Sequence, residues 1–175
     1  MRTKVTLALL IIAINSFSQP NSFSWFSSYP TQRFNYISPA KDQGEQGPCR
    51  TFAAVAAVEA MSHIYYNKPF SYTTNGIDLS EAEIYSGCSG FGGPTGSASI
   101  EEALNYIDTT GIINESCFPF PQSPCDSFFR TDCNNLCSTP SYEVNIPGYE
   151  QLYISTAQDL KRAIIDYGPI SHRPS

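Results

Sequence analysis

The chain has few histidines, few basic residues and no apolar run long enough to cross a membrane. It contains two histidines, and its 10 lysines and arginines face 16 aspartates and glutamates, for a formal net charge of −6. Because nucleic-acid binders carry clustered positive charge, this balance argues against a nucleic-acid partner. The cysteines and histidines lack the ligand spacing of a metal site, so we expect neither a metal nor another cofactor. An apolar fraction of 41% indicates a packed core.

The most apolar stretch lies at the start of the chain, over residues 5–14. Its ten residues are fewer than the about 20 that a spanning helix needs. Arg2 and Lys4 precede it, and two serines in a small-x-small pattern follow. This arrangement predicts a signal peptide over residues 1–18, with an N-terminal membrane anchor as the alternative. We therefore expect a secreted or extracytoplasmic protein, a lysosome-like compartment included, without a membrane partner after cleavage.

Export implies an oxidising compartment, in which cysteines form bridges. The chain has six cysteines: Cys49, Cys88, Cys117, Cys125, Cys133 and Cys137. Six cysteines make three bridges if all of them pair. If one of them is a working thiol, five remain, and one of those has no partner within the chain.

Cys49 follows a glycine-broken loop and precedes an alanine-rich apolar run, in the stretch QGEQGPCRTFAA. The attacking species of a cysteine nucleophile is the thiolate, which the free N–H groups and partial positive charge of a helix start stabilise. Gly44 and Gly47 allow the loop to turn back, so that the Gln43 carboxamide and the Cys49 N–H form a two-donor oxyanion hole. A buried or bridged cysteine at a helix start is the alternative interpretation.

The chain predicts a central helix from Cys49 to about Tyr66, because this segment has no interior Gly or Pro and Asn67-Lys68-Pro69 ends it. Its apolar residues lie on more than one face, which predicts burial. Three pairs with capping-box spacing predict further helix starts: Ser80 with Glu83, Ser99 with Glu102, and Ser155 with Gln158. We expect the last of these helices to end at Gly168-Pro169. Short extended structure is predicted at residues 34–39 and 142–149.

Several segments resemble the papain-family (C1) cysteine peptidases, in the order in which that family has them. The active-site entry is represented by Asn35 to Gly44, Gly47-Pro48-Cys49 and Phe52-Ala53-Ala54. The later segments are Leu79 to Glu83, Gly92-Gly93, Gly111 to Phe120 and Tyr167 to Ile170. The resemblance implies an α+β papain-like fold, mostly the helical left lobe with only the start of the β-rich right lobe.

By this resemblance, Cys49 is the nucleophile of a peptide-bond hydrolase and Gln43 is an oxyanion donor. Gly92 and Gly93 would contact the backbone of an extended peptide, so the implied partner is a peptide or protein substrate. The implied domains are an extended arm over residues 19–33 and a peptidase domain over residues 34–175, incomplete at its C-terminal end. The sequence indicates no oligomeric state.

The resemblance also implies a bridge between Cys88 and Cys125, and Cys117 then closes on Cys137. Cys133 is left over, although it could exchange with either partner. Arg50 departs from the family pattern, in which an aromatic residue follows the nucleophile.

The catalytic base is the main gap. The family's histidine and asparagine lie about 130–150 residues beyond the cysteine, which is past residue 175 here. His63 lies about 21 Å along the central helix from Cys49, and His172 lies in the last five residues. We therefore expect a fragment of a two-lobed peptidase that lacks the His/Asn half. The alternatives are a catalytically inactive peptide-binding protein and a disulfide-stapled structural domain in which Cys49 is bridged.

Overall fold

A computed structural model describes residues 22–26, 35–44, 47–70, 76–90, 98–120 and 136–171. Helices predominate in this part of the chain, and two short strands accompany them. The elements in chain order are α1 (Cys49–Tyr65), α2 (Glu81–Tyr85), a 3₁₀ turn (Gly87–Ser89), α3 (Ile100–Thr109), β1 (Ile112–Ile113), β2 (Tyr142–Val144) and α4 (Ala157–Tyr167). The predicted signal segment, residues 1–18, lies outside the described residues.

Helix α1 is the central element of the fold, and it packs against α2 and α3. Its small alanines let these neighbours approach closely. The main core cluster joins residues of α1 to residues of the surrounding elements: Ala54, Val55, Val58, Leu79, Ile84, Ala98, Ala103, Ile107, Ile112 and Val144. Eight of the 17 residues of α1 are buried, so the predicted burial holds for the side that faces α2 and α3. Cys49 and Arg50 at the start are exposed, as is Tyr65 at the end.

The predicted capping box at α2 is half right. The Ser80 hydroxyl accepts a hydrogen bond from Glu83 N at 3.1 Å, as a cap should. The Glu83 carboxylate does not return to the cap, because it accepts hydrogen bonds from the Tyr106 hydroxyl at 2.9 Å and from Ile113 N at 2.9 Å. Burial raises the pKa of Glu83, against the effect of these two hydrogen bonds. Glu83 therefore holds α3 and β1 to α2 rather than capping its own helix.

The other two predicted caps differ in outcome. At α3, Ser99 and Glu102 form the complete capping box, with Ser99 Oγ accepting from Glu102 N and Glu102 accepting from Ser99 N. At α4 the predicted pair is one residue out of phase, because Thr156 and Asp159 form the box. Thr156 caps the helix as a serine would, and the Asp159 carboxylate accepts the hydrogen bond that the amide oxygen of a glutamine could also accept. The predicted end of α4 is confirmed, since the helix closes at Tyr167 and Gly168 caps it.

The predicted strand over residues 142–149 is shorter than expected. Strand β2 ends at Val144 and pairs antiparallel with β1, with Ile112 opposite Val144. Asn145 ends the pairing, because its side-chain amide donates to the carbonyl oxygens of Ile107 and Asp108 at the end of α3. No regular strand or helix forms over residues 35–40.

The predicted Cys117–Cys137 disulfide is present. It ties the loop after β1 to the segment before β2, and Cys137 N also donates to Cys117 O at 2.9 Å. Cys88 is disulfide-bonded too, but Cys125 and Cys133 lie outside the described residues. The Cys88–Cys125 pairing therefore stays a prediction. Within the described ranges, no helix has the length and apolar character needed to cross a membrane.

Candidate active site

Cys49 is the first residue of α1, and its side chain is exposed. It carries a free thiol, whereas Cys88, Cys117 and Cys137 are disulfide-bonded. The structure therefore argues against the alternative in which Cys49 is bridged. An exposed thiol at the start of a helix whose body is packed in the core is held firmly and is open to a substrate.

The start of α1 leaves its first N–H groups available to an anion. Pro48 is the N-cap residue and offers no side-chain hydrogen bond to the first turn, which also contains no acidic residue. Four N–H groups at any helix start lack a partner within the helix, and together they carry a partial positive charge. Among the residues that the structure describes here, neither the cap residue nor the first turn of α1 supplies a side chain that neutralises this charge. The first turn of α1 therefore offers N–H donors to an anion that is bound beside Cys49.

Gln43 lies in the loop that leads to Cys49, and it is half-buried. The chain turns directly after it, since Gly44 adopts a φ of 61° and Gly44 N donates to Asp42 Oδ1 at 2.8 Å. A φ in this range favours glycine, so the turn depends on this residue. Residues 45–46 lie outside the described residues, as do Gly92 and Gly93. The roles predicted for Gln43 and for the glycine pair remain predictions.

An ionic cluster with two buried carboxylates, Glu59 and Glu81, fixes the start of this loop. Lys41, two residues before Gln43, places its ammonium group among three carboxylates, one on α1 and two at residues 78–81. Its Nζ lies 2.9 Å from Glu59 Oε1, 3.0 Å from Glu81 Oε1 and 2.8 Å from Asp78 Oδ1. It also donates to the carbonyl oxygen of Leu79 at 2.9 Å. Because Glu59 belongs to α1 and Glu81 opens α2, the cluster clamps the loop to both helices.

The cluster holds more negative than positive charge, and burial shifts its titration. Burial raises the pKa of Glu81 to about 7, although the Lys41 charge opposes the shift. Burial of Lys41 acts to lower its pKa, but the charges of Glu59 and Glu81 outweigh it and hold that pKa above its usual range. Lys41 is therefore cationic at any physiological pH. Because its pKa is about 7, Glu81 takes up a proton near neutral pH.

His63 is not placed to act as the base. It is on α1, 14 residues after Cys49, which corresponds to about 21 Å along a helix. Its side chain is buried, with Nδ1 2.7 Å from Lys68 O and an edge-to-face contact with Phe70. Since a carbonyl oxygen only accepts, Nδ1 carries the proton. His63 thus binds the chain that follows α1 to the helix. His172 lies outside the described residues.

The Lys41 cluster was not predicted from the sequence. One signal was present, since Glu59 interrupts the alanine-rich, apolar part of α1. A carboxylate in such a position is rarely buried unless it is paired. The partner could not be identified, because Lys41 and Glu81 lie 18 and 22 residues away in the sequence.

Comparison with known proteins places the chain in a family. The model of the papain family cysteine protease matches residues 19–173. Cathepsin S of Bos taurus is 28% identical over 155 residues, covering 87% of this chain and 40% of that protein. Digestive cysteine proteinase 2 of Homarus americanus is 30% identical over 138 residues, covering 77% and 38%. The chain thus spans about 40% of the length of these relatives.

Solved structures show the same fold. Digestive procathepsin L 3 of Tenebrio molitor larval midgut matches with a TM-score of 0.56 and 24% identity, over 75% of this chain and 38% of that one. A structure from a study of the mite allergens Blo t 1 and Der p 1 matches with a TM-score of 0.60 and 25% identity, over 89% and 46%. Together with the family match, the helical architecture around α1 confirms the predicted left lobe. The chain belongs to the papain family of cysteine proteases.

Proposed function

We propose that this chain carries the nucleophilic half of a secreted cysteine peptidase. The Cys49 thiolate attacks the carbonyl carbon of a peptide bond, and the Gln43 carboxamide and Cys49 N–H hold the resulting oxyanion. Gly92 and Gly93 bind the backbone of the extended substrate. One observation carries the proposal: Cys49 is a free, exposed thiol at the start of a helix held in the core.

The reaction needs more than a nucleophile. Attack forms a carbon–sulfur bond, and the tetrahedral intermediate collapses by expelling the amine, which must be protonated to leave. His63 cannot supply that proton at Cys49, because it is buried far along α1. In this proposal the general acid comes from outside the described residues. The chain of 175 residues on its own should therefore form an acyl-enzyme from an activated ester far faster than it cleaves an amide.

Secretion is the second part of the proposal. The apolar stretch at residues 5–14 fits the central region of an export signal. The Cys117–Cys137 disulfide supports an oxidising compartment. Residues 1–18 act as the signal and residues 34–175 form the peptidase portion. Mass spectrometry of the exported chain tests this, since cleavage elsewhere than before Gln19, or its absence, would contradict the predicted site.

The catalytic part is tested with three reagents on the purified chain. Iodoacetamide reports the thiolate, a p-nitrophenyl ester reports acylation with a leaving group that needs no proton, and a peptide amide reports the complete reaction. We expect labelling of Cys49 and a burst of p-nitrophenol. Amide cleavage should not exceed the about 10³–10⁴-fold over water that an oxyanion hole and binding supply without the rest of a triad. Cys49→Ala should abolish both labelling and burst.

A further variant separates the oxyanion donor from the nucleophile. Gln43→Ala should slow the ester burst by about 10²–10³-fold while leaving iodoacetamide labelling unchanged, since alkylation forms no oxyanion. Gln151→Ala, at an exposed position, is the matched control and should change neither rate. Peptide binding without labelling or burst would instead support the inactive peptide-binding protein. Robust amide cleavage that depends on Cys49 would show that the chain supplies its own acid.

A further inference from the structure

Asn114 begins the one Asn-x-Ser/Thr triplet of the chain, Asn114-Glu115-Ser116. Such a triplet is the acceptor sequence for N-linked glycosylation when its middle residue is not proline. The attached oligosaccharide is bulky and hydrophilic, so a folded protein can carry it only where the asparagine reaches the surface. The positions of the three side chains therefore decide whether the triplet can be used.

Asn114 lies where the chain leaves the core. Both residues of the preceding strand β1 are buried, whereas Asn114 is partly exposed and Ser116 is exposed. A turn follows over residues 115–117, and the Cys117–Cys137 disulfide anchors its far end. The acceptor triplet thus occupies a surface turn whose two ends are fixed.

The Asn114 carboxamide is held through its oxygen and not through its nitrogen. Oδ1 accepts a hydrogen bond from Ser116 N at 2.9 Å, and the carbonyl oxygen of Asn114 accepts one from Cys117 N at 3.0 Å. Within the part of the chain that the structure describes, Asn114 Nδ2 and Ser116 Oγ make no hydrogen bond. The nitrogen that would carry a sugar and the hydroxyl that the acceptor sequence requires are therefore both available.

The side chain of the middle residue turns inward. Glu115 Oε1 accepts a hydrogen bond from Phe120 N at 2.6 Å, and Oε2 is buried. The Glu115 carboxylate therefore adds neither bulk nor charge to the surface around Asn114. In the folded chain this surface is left open on the side where a sugar would stand.

We propose that Asn114 carries an N-linked oligosaccharide in the exported protein. The donor is an oligosaccharide joined to a lipid through pyrophosphate. Asn114 Nδ2 forms a bond to the anomeric carbon of the first sugar, the bond from that carbon to the pyrophosphate oxygen breaks, and one Nδ2 proton is released. The proposal rests on the proposed export of the chain and not on its peptidase activity. The sugar keeps the turn over residues 115–117 in solvent, so this face does not pack against another protein.

The test uses two signals to separate glycosylation from export. One form of the full chain is expressed in insect cells with its own residues 1–18, and a second form carries a signal of proven function in their place. Peptide-N-glycosidase F in heavy-oxygen water removes the sugar and converts a glycosylated asparagine to isotopically labelled aspartate, which peptide mass spectrometry detects.

We expect the label at position 114 in both forms and its loss when the glycosidase is omitted. Absence of the label from the form with the replaced signal, whether secreted or retained in the cell, would overturn the proposal. A label found only with the replaced signal would contradict export by residues 1–18 and would still support the glycan on Asn114.

Two variants and a control identify the acceptor. Ser116→Ala removes the hydroxyl but keeps the backbone N–H that bonds to Asn114 Oδ1, so the turn is retained and the label should be lost. Ser116→Thr keeps a hydroxyl and should keep the label. Asn105→Gln changes an exposed asparagine outside any acceptor triplet and should have no effect. A label that persists in Ser116→Ala would contradict the proposal.

A last measurement asks whether the folded protein carries the sugar. Peptides from the non-reduced, glycosylated chain should still contain the Cys117–Cys137 disulfide, because Asn114 reaches the surface without disturbing the core. Sugar found only on molecules in which this bridge is open would overturn the proposal, since glycosylation and folding would then exclude each other.

Discussion

Replacing Glu115 by glutamine should stabilise the protein at neutral pH and not at acidic pH. Burial raises the pKa of Glu115 from 4.5 to about 7, and the hydrogen bond from Phe120 N and the charge of Lys41 only partly oppose this. Glu115 Oε1 accepts that hydrogen bond at 2.6 Å, while Oε2 is buried without a partner in the described part of the chain. The folded protein therefore favours the protonated carboxyl group, and a neutral amide fits the same place.

The sign of the effect follows from proton linkage. The pKa of Glu115 is higher in the folded than in the unfolded state. Its contribution to the unfolding free energy is therefore complete below about pH 4.5 and is lost as the pH rises to about 7. At about 1.36 kcal/mol per pKa unit, this pKa difference limits the loss of unfolding free energy to about 3 kcal/mol. Glu115 keeps some contact with solvent, which screens its charge. We therefore expect an actual loss of about 1–2 kcal/mol of unfolding free energy.

The assay is urea unfolding at pH 4 and pH 7.5, followed by the fluorescence of the single tryptophan. Relative to the unmodified chain, Glu115→Gln should gain about 1–2 kcal/mol in unfolding free energy between the two pH values. Glu101→Gln controls for the loss of one negative charge, and the exposed position should give no such gain. Glu81 and Glu83 also have raised pKa values, so both proteins keep some pH dependence. Parallel pH profiles for Glu115→Gln and the unmodified chain would refute the argument.

Three further substitutions test the packing. Lys41→Met leaves three carboxylates around an apolar group and should cost about 3 kcal/mol of unfolding free energy, whereas Lys161→Met, exposed on α4, should cost little in the same urea assay. Gly168→Ala should cost about 1–3 kcal/mol of unfolding free energy, because φ is 99° and the added carbon would meet Met61 Sδ. The control is Gly47→Ala, at a position where the added carbon meets open space. Trp25→Phe removes the hydrogen bond from Nε1 to Ile164 O at 2.9 Å and should speed hydrogen exchange in α4, and unchanged exchange there would show that this bond does not hold the helix.

Local signals in the sequence predicted the elements that depend on local chemistry. Helix α1 runs between its proline-preceded start and the Asn67-Lys68-Pro69 stop, and α3 begins at a complete capping box. The Cys117–Cys137 bridge, which was predicted after the family resemblance had assigned Cys88 to Cys125, is confirmed. In each case the residues that decide the structure are close in sequence or belong to a recognised pattern.

Features that depend on tertiary contacts were not predicted correctly from the sequence. Glu83 has the spacing of a capping residue, but the buried N–H of Ile113 and the Tyr106 hydroxyl compete for its carboxylate. The alternation after Tyr142 suggested a longer strand, but Asn145 turns to α3 instead. No local pattern reports which of two available partners a polar side chain will choose, since that depends on burial after folding.

The ionic cluster links the stability of the lobe to the geometry of its proposed site. Gln43 can act as an oxyanion donor only if it keeps a fixed position relative to Cys49, and the glycine at position 44 can adopt more backbone conformations than any other residue. Lys41 supplies the restraint, because its ammonium group is held by Glu59 of α1 and Glu81 of α2. Apolar side chains in the same place would pack with less cost of desolvation, but they would fix the loop with less directional precision. The charged arrangement therefore favours positioning over stability.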